Sequence, residues 1–290
     1  MMLLNKRIYL LINVFMFLAA GFFLFQRCII EATDVAYSIK SIAAVCVISG
    51  AVYFIKFIRL FIIWYGNKLT KLSNLTQFAK TSAVNLLIPL KLGDVFRIYC
   101  YGYTVKNLLN GLCYILLDRF MDTLALVTLI LYFDIFTDVN YTFLFCFLIL
   151  FLSCVIVLYF TFPGLYKYWN SYLIKSDAGR FKYKVLKLIN SMNDIYAGIQ
   201  EIIHGKGIIL YIISIAAWMI EAAGFYIVNI FEMHDSSPVD LVSYLEAALG
   251  FGSTDYQKLF VLVGVAITLL AYIAALCTGK IIRRADENRR

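Results

Sequence analysis

Two short runs of charge stand inside otherwise apolar sequence. The first is Pro89-Leu90-Lys91-Leu92-Gly93-Asp94-Val95-Phe96-Arg97. The second, about a helix length later, is Asp118-Arg119-Phe120-Met121-Asp122. Asp118 and Asp122 are four apart and share a helical face, while Asp94/Arg97 and Arg119/Asp122 have the three-residue spacing at which helical side chains meet. Arginine's planar fork bonds phosphate bidentately, so Arg97 and Arg119 suit an anionic headgroup. The carboxylates would take an amine, sugar hydroxyls or a proton. With Lys91 the set holds three positives and three negatives, the balance that burial in a low dielectric demands. Glu221 and Glu246 are candidates to complete it from the C-terminal half. The competing reading is a self-neutralised network that only docks one segment on another, since buried ion pairs are weak evidence for anything more.

The surroundings of these charges are lipid-like. The chain is 62% hydrophobic, with a mean hydropathy of +0.82. Apolar stretches of roughly 20 residues, enough to cross about 30 Å of hydrocarbon, recur along it. A charge at the centre of such a layer costs roughly 2.5–3.5 kcal/mol, so several together must pair, line a wet cavity or hold a ligand. The net charge of +8 is distributed between apolar spans as the positive-inside rule describes, which argues against a nucleic-acid partner.

The spacing predicts six crossings at about Ile8–Phe25, Ile39–Tyr65, Leu109–Phe133, Tyr141–Phe162, Gly207–Phe231 and Leu259–Ile281. Two shorter apolar segments, Thr81–Arg97 and Val242–Gly252, are expected to dip without crossing. Pro89 and Gly93 break the first, and irregular backbone at that depth must line a cavity or be buried in protein. With the N-terminus in the cytoplasm, the Lys-rich connections and the C-terminus fall inside. The connections with Asp134/Asp138 and Glu232/Asp235 then fall outside. The fold class is thus an all-α, polytopic helical bundle of the cytoplasmic (inner) membrane with both termini cytoplasmic. Its parts are an N-terminal membrane half (1–162) with a re-entrant segment (81–97), a basic amphipathic segment expected on the membrane surface (163–206) and a C-terminal membrane half (207–290). The first span reads as a retained anchor. Lys56 and Arg59, three apart near the end of the second span, are expected to snorkel to lipid phosphates. Neither the seven cysteines nor His204 and His234 have metal-ligand or disulfide-framework spacing, so no metal and no cofactor is implied.

Pro89-x-x-x-Gly93-Asp94-x-x-Arg97 followed by Asp118-Arg119-x-x-Asp122 resembles the lysylphosphatidylglycerol synthase transmembrane family, and the similarity extends to Trp218-x-x-Glu221. Asp118 stands where that family usually has Glu, and its later Pro-Gly-Gly-x-Gly-x-x-Glu motif has only Glu246 as a counterpart. The resemblance implies a flippase-like membrane protein that binds and translocates or presents an anionic lipid, a modified phospholipid or a polyprenyl-phosphate-linked sugar, in envelope biogenesis. The implied headgroup-binding residues are Lys91, Asp94, Arg97, Asp118, Arg119, Asp122, Glu221 and Glu246. The alternatives are an intramembrane enzyme, or an accessory subunit or scaffold partnering a cytoplasmic or membrane synthase or glycosyltransferase. Paired carboxylates permit acid–base work, but no nucleotide-binding glycine loop accompanies them.

Overall fold

The computed structural model describes residues 6–30, 38–64, 71–88, 92–134, 143–175, 180–232, 240–241, 244–245 and 255–287. Among them the long elements are all helices: α1 (Lys6–Ile30), α2 (Ile39–Trp64), α3 (Lys71–Leu87), α4 (Leu92–Val105), α5 (Leu108–Asp134), α6 (Phe143–Lys175), α7 (Arg180–Phe231) and α8 (Asp255–Glu287). Five segments are long and apolar enough to cross a membrane: Lys6–Gln26, Ile39–Trp64, Leu148–Lys175, Lys182–Phe231 and Tyr256–Gly279. The protein is an all-α polytopic bundle. At 27 residues α5 has a crossing length of about 40 Å, but Asp118, Arg119 and Asp122 interrupt its apolar character.

The bundle is organised around α7. It runs antiparallel to α2, and the contacts Ser41–Glu232, Lys56–Glu221, Arg59–Ser214 and Ile62–Lys206 step along the pair in opposite order. At the far end of this pair Ser38 caps α2, its hydroxyl accepting the Ser41 amide, while the Glu232 carboxylate accepts the Ser38 amide at 2.9 Å. Such acceptors satisfy the orphan donors of a helix start. On the other flank of α7 lies α5. The main apolar core gathers Leu60 and Trp64 of α2, Ile115 and Ile130 of α5, and Leu210 and Phe225 of α7.

Between this core and α1 sits a helical hairpin made of α3 and α4. The two arms have 17 and 14 residues, both below the roughly 20 needed to cross. They fold back on each other so closely that a Cβ added at Gly93 would lie 2.5 Å from Asn85 Cα. One face of the hairpin offers Phe78 and Tyr101 to the main core. The other offers Val84, Leu87, Phe96 and Cys100 to a smaller cluster with Ala20 of α1 and Val265 of α8. The α4 arm ends where Lys106 takes a left-handed φ of 59°. Asn107 then starts α5, its side-chain oxygen accepting the Leu109 amide at 3.0 Å. This tight reversal lays α5 antiparallel on α4, with Gly111 against the Gly102 backbone.

Three expectations change here. The dipping element, expected to begin at Thr81, is a helix–break–helix starting at Lys71, because Asn74, Gln77 and Lys80 lie inside α3. The basic stretch 163–206 is not a separate element. Its first part continues α6 through Pro163 and its second part is the start of α7, one helix of 52 residues. A division at position 207 therefore falls within α7. The second dip lies largely outside the described residues, although Leu241, Tyr244 and Leu245 are fully buried.

The hairpin's packing generates a direct test. Gly93→Ala should force the arms apart at a backbone contact and cost about 1–3 kcal/mol, as overpacking does. Gly50→Ala, where nothing lies within 4 Å, should leave thermal unfolding in detergent unchanged or slightly raised.

Candidate functional site

The charged side chains of α4 and α5 owe their places to the reversals just described. The break between α3 and α4 puts Asp94 in the first turn of α4, and the α4–α5 turn then sets that helix end against residues 118–122. Arg119 Nε donates to Asp94 Oδ1 at 2.8 Å, with Nη2 at 2.7 Å from the same oxygen. Arg97 reaches Asp118 Oδ2 at 3.4 Å and Asp94 Oδ1 at 3.7 Å. The two charged runs of the sequence therefore form one cluster. The tight bonds, however, cross between helices. The local pairs Asp94/Arg97 and Arg119/Asp122 are the long ones, at 3.7 and 4.0 Å.

The anchor of the cluster is Arg59, which sequence reasoning assigned to the lipid interface. Its residue is 2% exposed. Nε donates to Asp118 Oδ1 at 2.8 Å; Nη1 donates to Asp122 Oδ1 at 2.6 Å and to Ser214 Oγ at 2.8 Å. One guanidinium thus bridges α2, α5 and α7. The correction has a physical reason: two carboxylates one helical turn apart and buried in the bundle attract the nearest planar cation more strongly than a headgroup phosphate at the rim does. Lys56, one turn earlier on α2, turns inward as well. Its ammonium lies 3.5 Å from Glu221 Oε2 and over the Trp218 ring at 5.1 Å from the centroid. Glu221 Oε1 accepts the Tyr244 hydroxyl at 2.7 Å. Glu221 therefore belongs to the site through Lys56.

Four cations, Lys56, Arg59, Arg97 and Arg119, face four anions, Asp94, Asp118, Asp122 and Glu221, in these ion pairs. This cluster is balanced in charge, yet its members are not equally satisfied. Three of the Arg59 bonds are short, whereas Arg97, buried at 4% exposure, has an Nε without any hydrogen-bond partner. The Arg119 and Lys56 side chains remain 34% and 20% exposed. A cavity of about 80 Å³ is lined by Tyr53, Lys56, Arg59, Arg97, Asp118, Arg119 and Asp122, with Ser82 and Asn85 from the hairpin. That volume admits a few waters or a phosphate-sized group. Lys91, Pro89 and Glu246 lie outside the described residues. Gly93 is described and buried against Asn85.

A signal for Arg59 existed in the sequence. Lys56, Arg59 and the pair Asp118/Asp122 each sit on single helical faces, and the excess carboxylate of the second run needed a partner. No family model, curated protein or solved structure matches the chain. What fold and site define is a helical membrane protein with a buried, balanced cluster of ions beside a broken helical hairpin.

Arg59 and Arg119 should differ sharply as structural elements. Arg59→Met leaves two buried carboxylates without their main partner and should cost about 3–5 kcal/mol. Arg119→Gln removes a partly exposed cation and should cost about 1 kcal/mol or less. Thermal unfolding in one detergent measures both, and equal losses would contradict the assignment of Arg59 as the anchor.

Proposed function

We propose that this chain is a multi-pass protein of the cytoplasmic membrane that binds an anionic lipid by its headgroup and moves or presents it, in flippase-like fashion. The observation that carries this reading is the incomplete coordination of Arg97. A guanidinium with a free donor beside a small cavity, next to a second arginine open on one side, is an acceptor-seeking site for a phosphate. Arg59 plays no part in capture, because its bonds are used within the bundle. The phosphate would engage Arg97 and Arg119, and Asp94 would yield part of its hold on them. Asp94 can do so because it sits at the start of α4, where the backbone is broken. Asp118, Asp122 and Glu221 would balance the charge and receive the polar remainder of the headgroup.

Access supports an amphiphile over a soluble anion. The neighbours of the open ion pair are apolar and exposed: Leu92 and Val95 flank Asp94, and Leu116 lies one turn before Arg119. A rim of that kind faces acyl chains, so a ligand would enter sideways with its tails still in lipid. The hairpin contributes the polar backbone break at membrane depth that such a path requires. The resemblance to the lysylphosphatidylglycerol synthase transmembrane family points the same way, and the Gly-rich stretch of its later motif has no counterpart here.

The experiment is headgroup retention and movement. Removing one charge-assisted hydrogen bond, worth about 1.5–3 kcal/mol, should lower binding roughly ten- to a hundredfold. Arg97→Gln should therefore lose co-purifying anionic lipid in native mass spectrometry and lose headgroup movement in proteoliposomes, while its unfolding temperature stays well above that of Arg59→Met. Undiminished lipid retention and movement in Arg97→Gln would contradict the proposal.

A further inference from the structure

Away from the ion cluster, a strongly basic surface among the described residues lies on the hairpin that α6 and α7 form. Its two arms pair in antiparallel order. Phe162 stacks on Tyr196 and Tyr159 packs on it at a tilt, the Tyr166 hydroxyl meets Asn190 Oδ1 at 3.2 Å, and Lys182 Nζ donates to the Ile174 carbonyl at 3.1 Å. The uncharged stretch of α6 ends at Tyr166, and from Phe143 it is already about 36 Å long, so the arms beyond it reach past the length that hydrocarbon accounts for. Pro163, inside α6, removes one backbone donor at that level.

Two properties of this hairpin go together. Between positions 163 and 193 there are six basic residues, Lys167, Lys175, Arg180, Lys182, Lys184 and Lys187, and a single acid, Asp177. This short stretch holds five of the chain's eight excess positive charges. The same surface exposes large apolar side chains: Tyr168, Trp169, Tyr172 and Ile174 on α6, and Tyr183 and Leu188 on α7 are 47–72% exposed. Lys167, Tyr168, Ser171, Tyr172 and Lys175 recur at helical spacing and border a common groove. Basic residues mixed with aromatic and aliphatic ones are the composition of elements that lie in an anionic headgroup layer. Trp and Tyr prefer that zone for their amphipathic rings.

We infer that the α6–α7 hairpin docks on the anionic inner leaflet, with its lysines on lipid phosphates and Trp169 in the headgroup layer. Charge complementarity selects this occupant: a zwitterionic surface would satisfy the rings, but its phosphates are balanced by choline and it has no net negative potential to hold the lysines. The inference is independent of the lipid site, since none of these residues touches the ion cluster. It also gives α7 a second role, because the helix that carries Lys184 and Lys187 at one end carries Ser214 and Glu221 further along.

Trp169 reports the docking directly. The intact protein is reconstituted in vesicles of bromine-labelled lipid, either wholly phosphatidylcholine or with roughly a third phosphatidylglycerol. The quenching lost in Trp169→Phe isolates the contribution of that residue from Trp64 and Trp218. We expect strong Trp169 quenching in the anionic vesicles. It should fall by about half or more in pure phosphatidylcholine, in about 1 M salt, where the screening length is about 3 Å, and in the exposed quadruple variant K167Q/K175Q/K184Q/K187Q. Quenching that is absent in anionic vesicles, or that is the same in both lipids and in the quadruple variant, would overturn the inference. A partner protein, rather than the leaflet, would be indicated by the first of those results.

Discussion

Arg59 joins three helices by putting a single guanidinium between two aspartates and a serine, and the arrangement of the charged interior depends on that junction. Taking two carboxylates out of water costs several kcal/mol each. A planar cation that bonds both at 2.6 and 2.8 Å and spends its remaining reach on Ser214 offsets that cost. The Trp218 indole, which donates to the Asp122 carbonyl at 3.2 Å, fixes the same stretch of α5 against α7. Because Asp118 and Asp122 are satisfied from the α2 side and Asp94 bonds Arg119, Arg97 has no equally good partner left. Arg97 is left with two long contacts and a vacant donor. The stable part of the network thus creates the unsatisfied part.

The hairpin turns this asymmetry into a site. Its arms are too short to cross, and close backbone approach at Gly93 and Gly111 brings Asp94 and Arg97 up to α5. Its opposite face is held by α1 in a different way. Lys80, buried on that face, gives its ammonium protons to the Tyr9 hydroxyl at 2.7 Å and to Asn13 Oδ1 at 2.9 Å, and packs on the rings of Tyr9 and Phe96. One face of the hairpin is therefore tied by neutral acceptors and the other by ions. Under the proposed lipid binding, a headgroup entering between Asp94 and Arg119 would meet the ionic face, while the α1 side could stay as it is.

Much of this was readable before any coordinates. Apolar length and charge placement gave the helical membrane class, and the spacing of Asp94, Arg97, Asp118, Arg119 and Asp122 identified residues that do meet. Local spacing could not show which pairs are tight. Helical neighbours three apart compete with partners from other helices, and at Asp94 the cross-helix partner Arg119 wins by about 1 Å over Arg97. Arg59 was misassigned for a related reason. Near the end of an apolar span, snorkelling to a headgroup and turning inward have the same sequence signature, and only the location of Asp118 and Asp122 decides between them. The start of α3 lies ten residues before the expected dip because Asn74, Gln77 and Lys80 interrupt the apolar run, and Lys80 is accommodated only by acceptors from α1. The continuity of α7 was hidden by the change from basic to apolar sequence near Lys206, which alters the surroundings of the helix and not its backbone.

The most direct test is a high-resolution electron cryomicroscopy map of the protein in nanodiscs that contain anionic lipid. The account predicts headgroup density contacting Arg97 and Arg119, entering past Leu92 and Val95, with Arg59 still bonded to Asp118 and Asp122. A map in which Arg59 points to the lipid surface, or in which the aspartates lie apart with no density near Arg97, would contradict it.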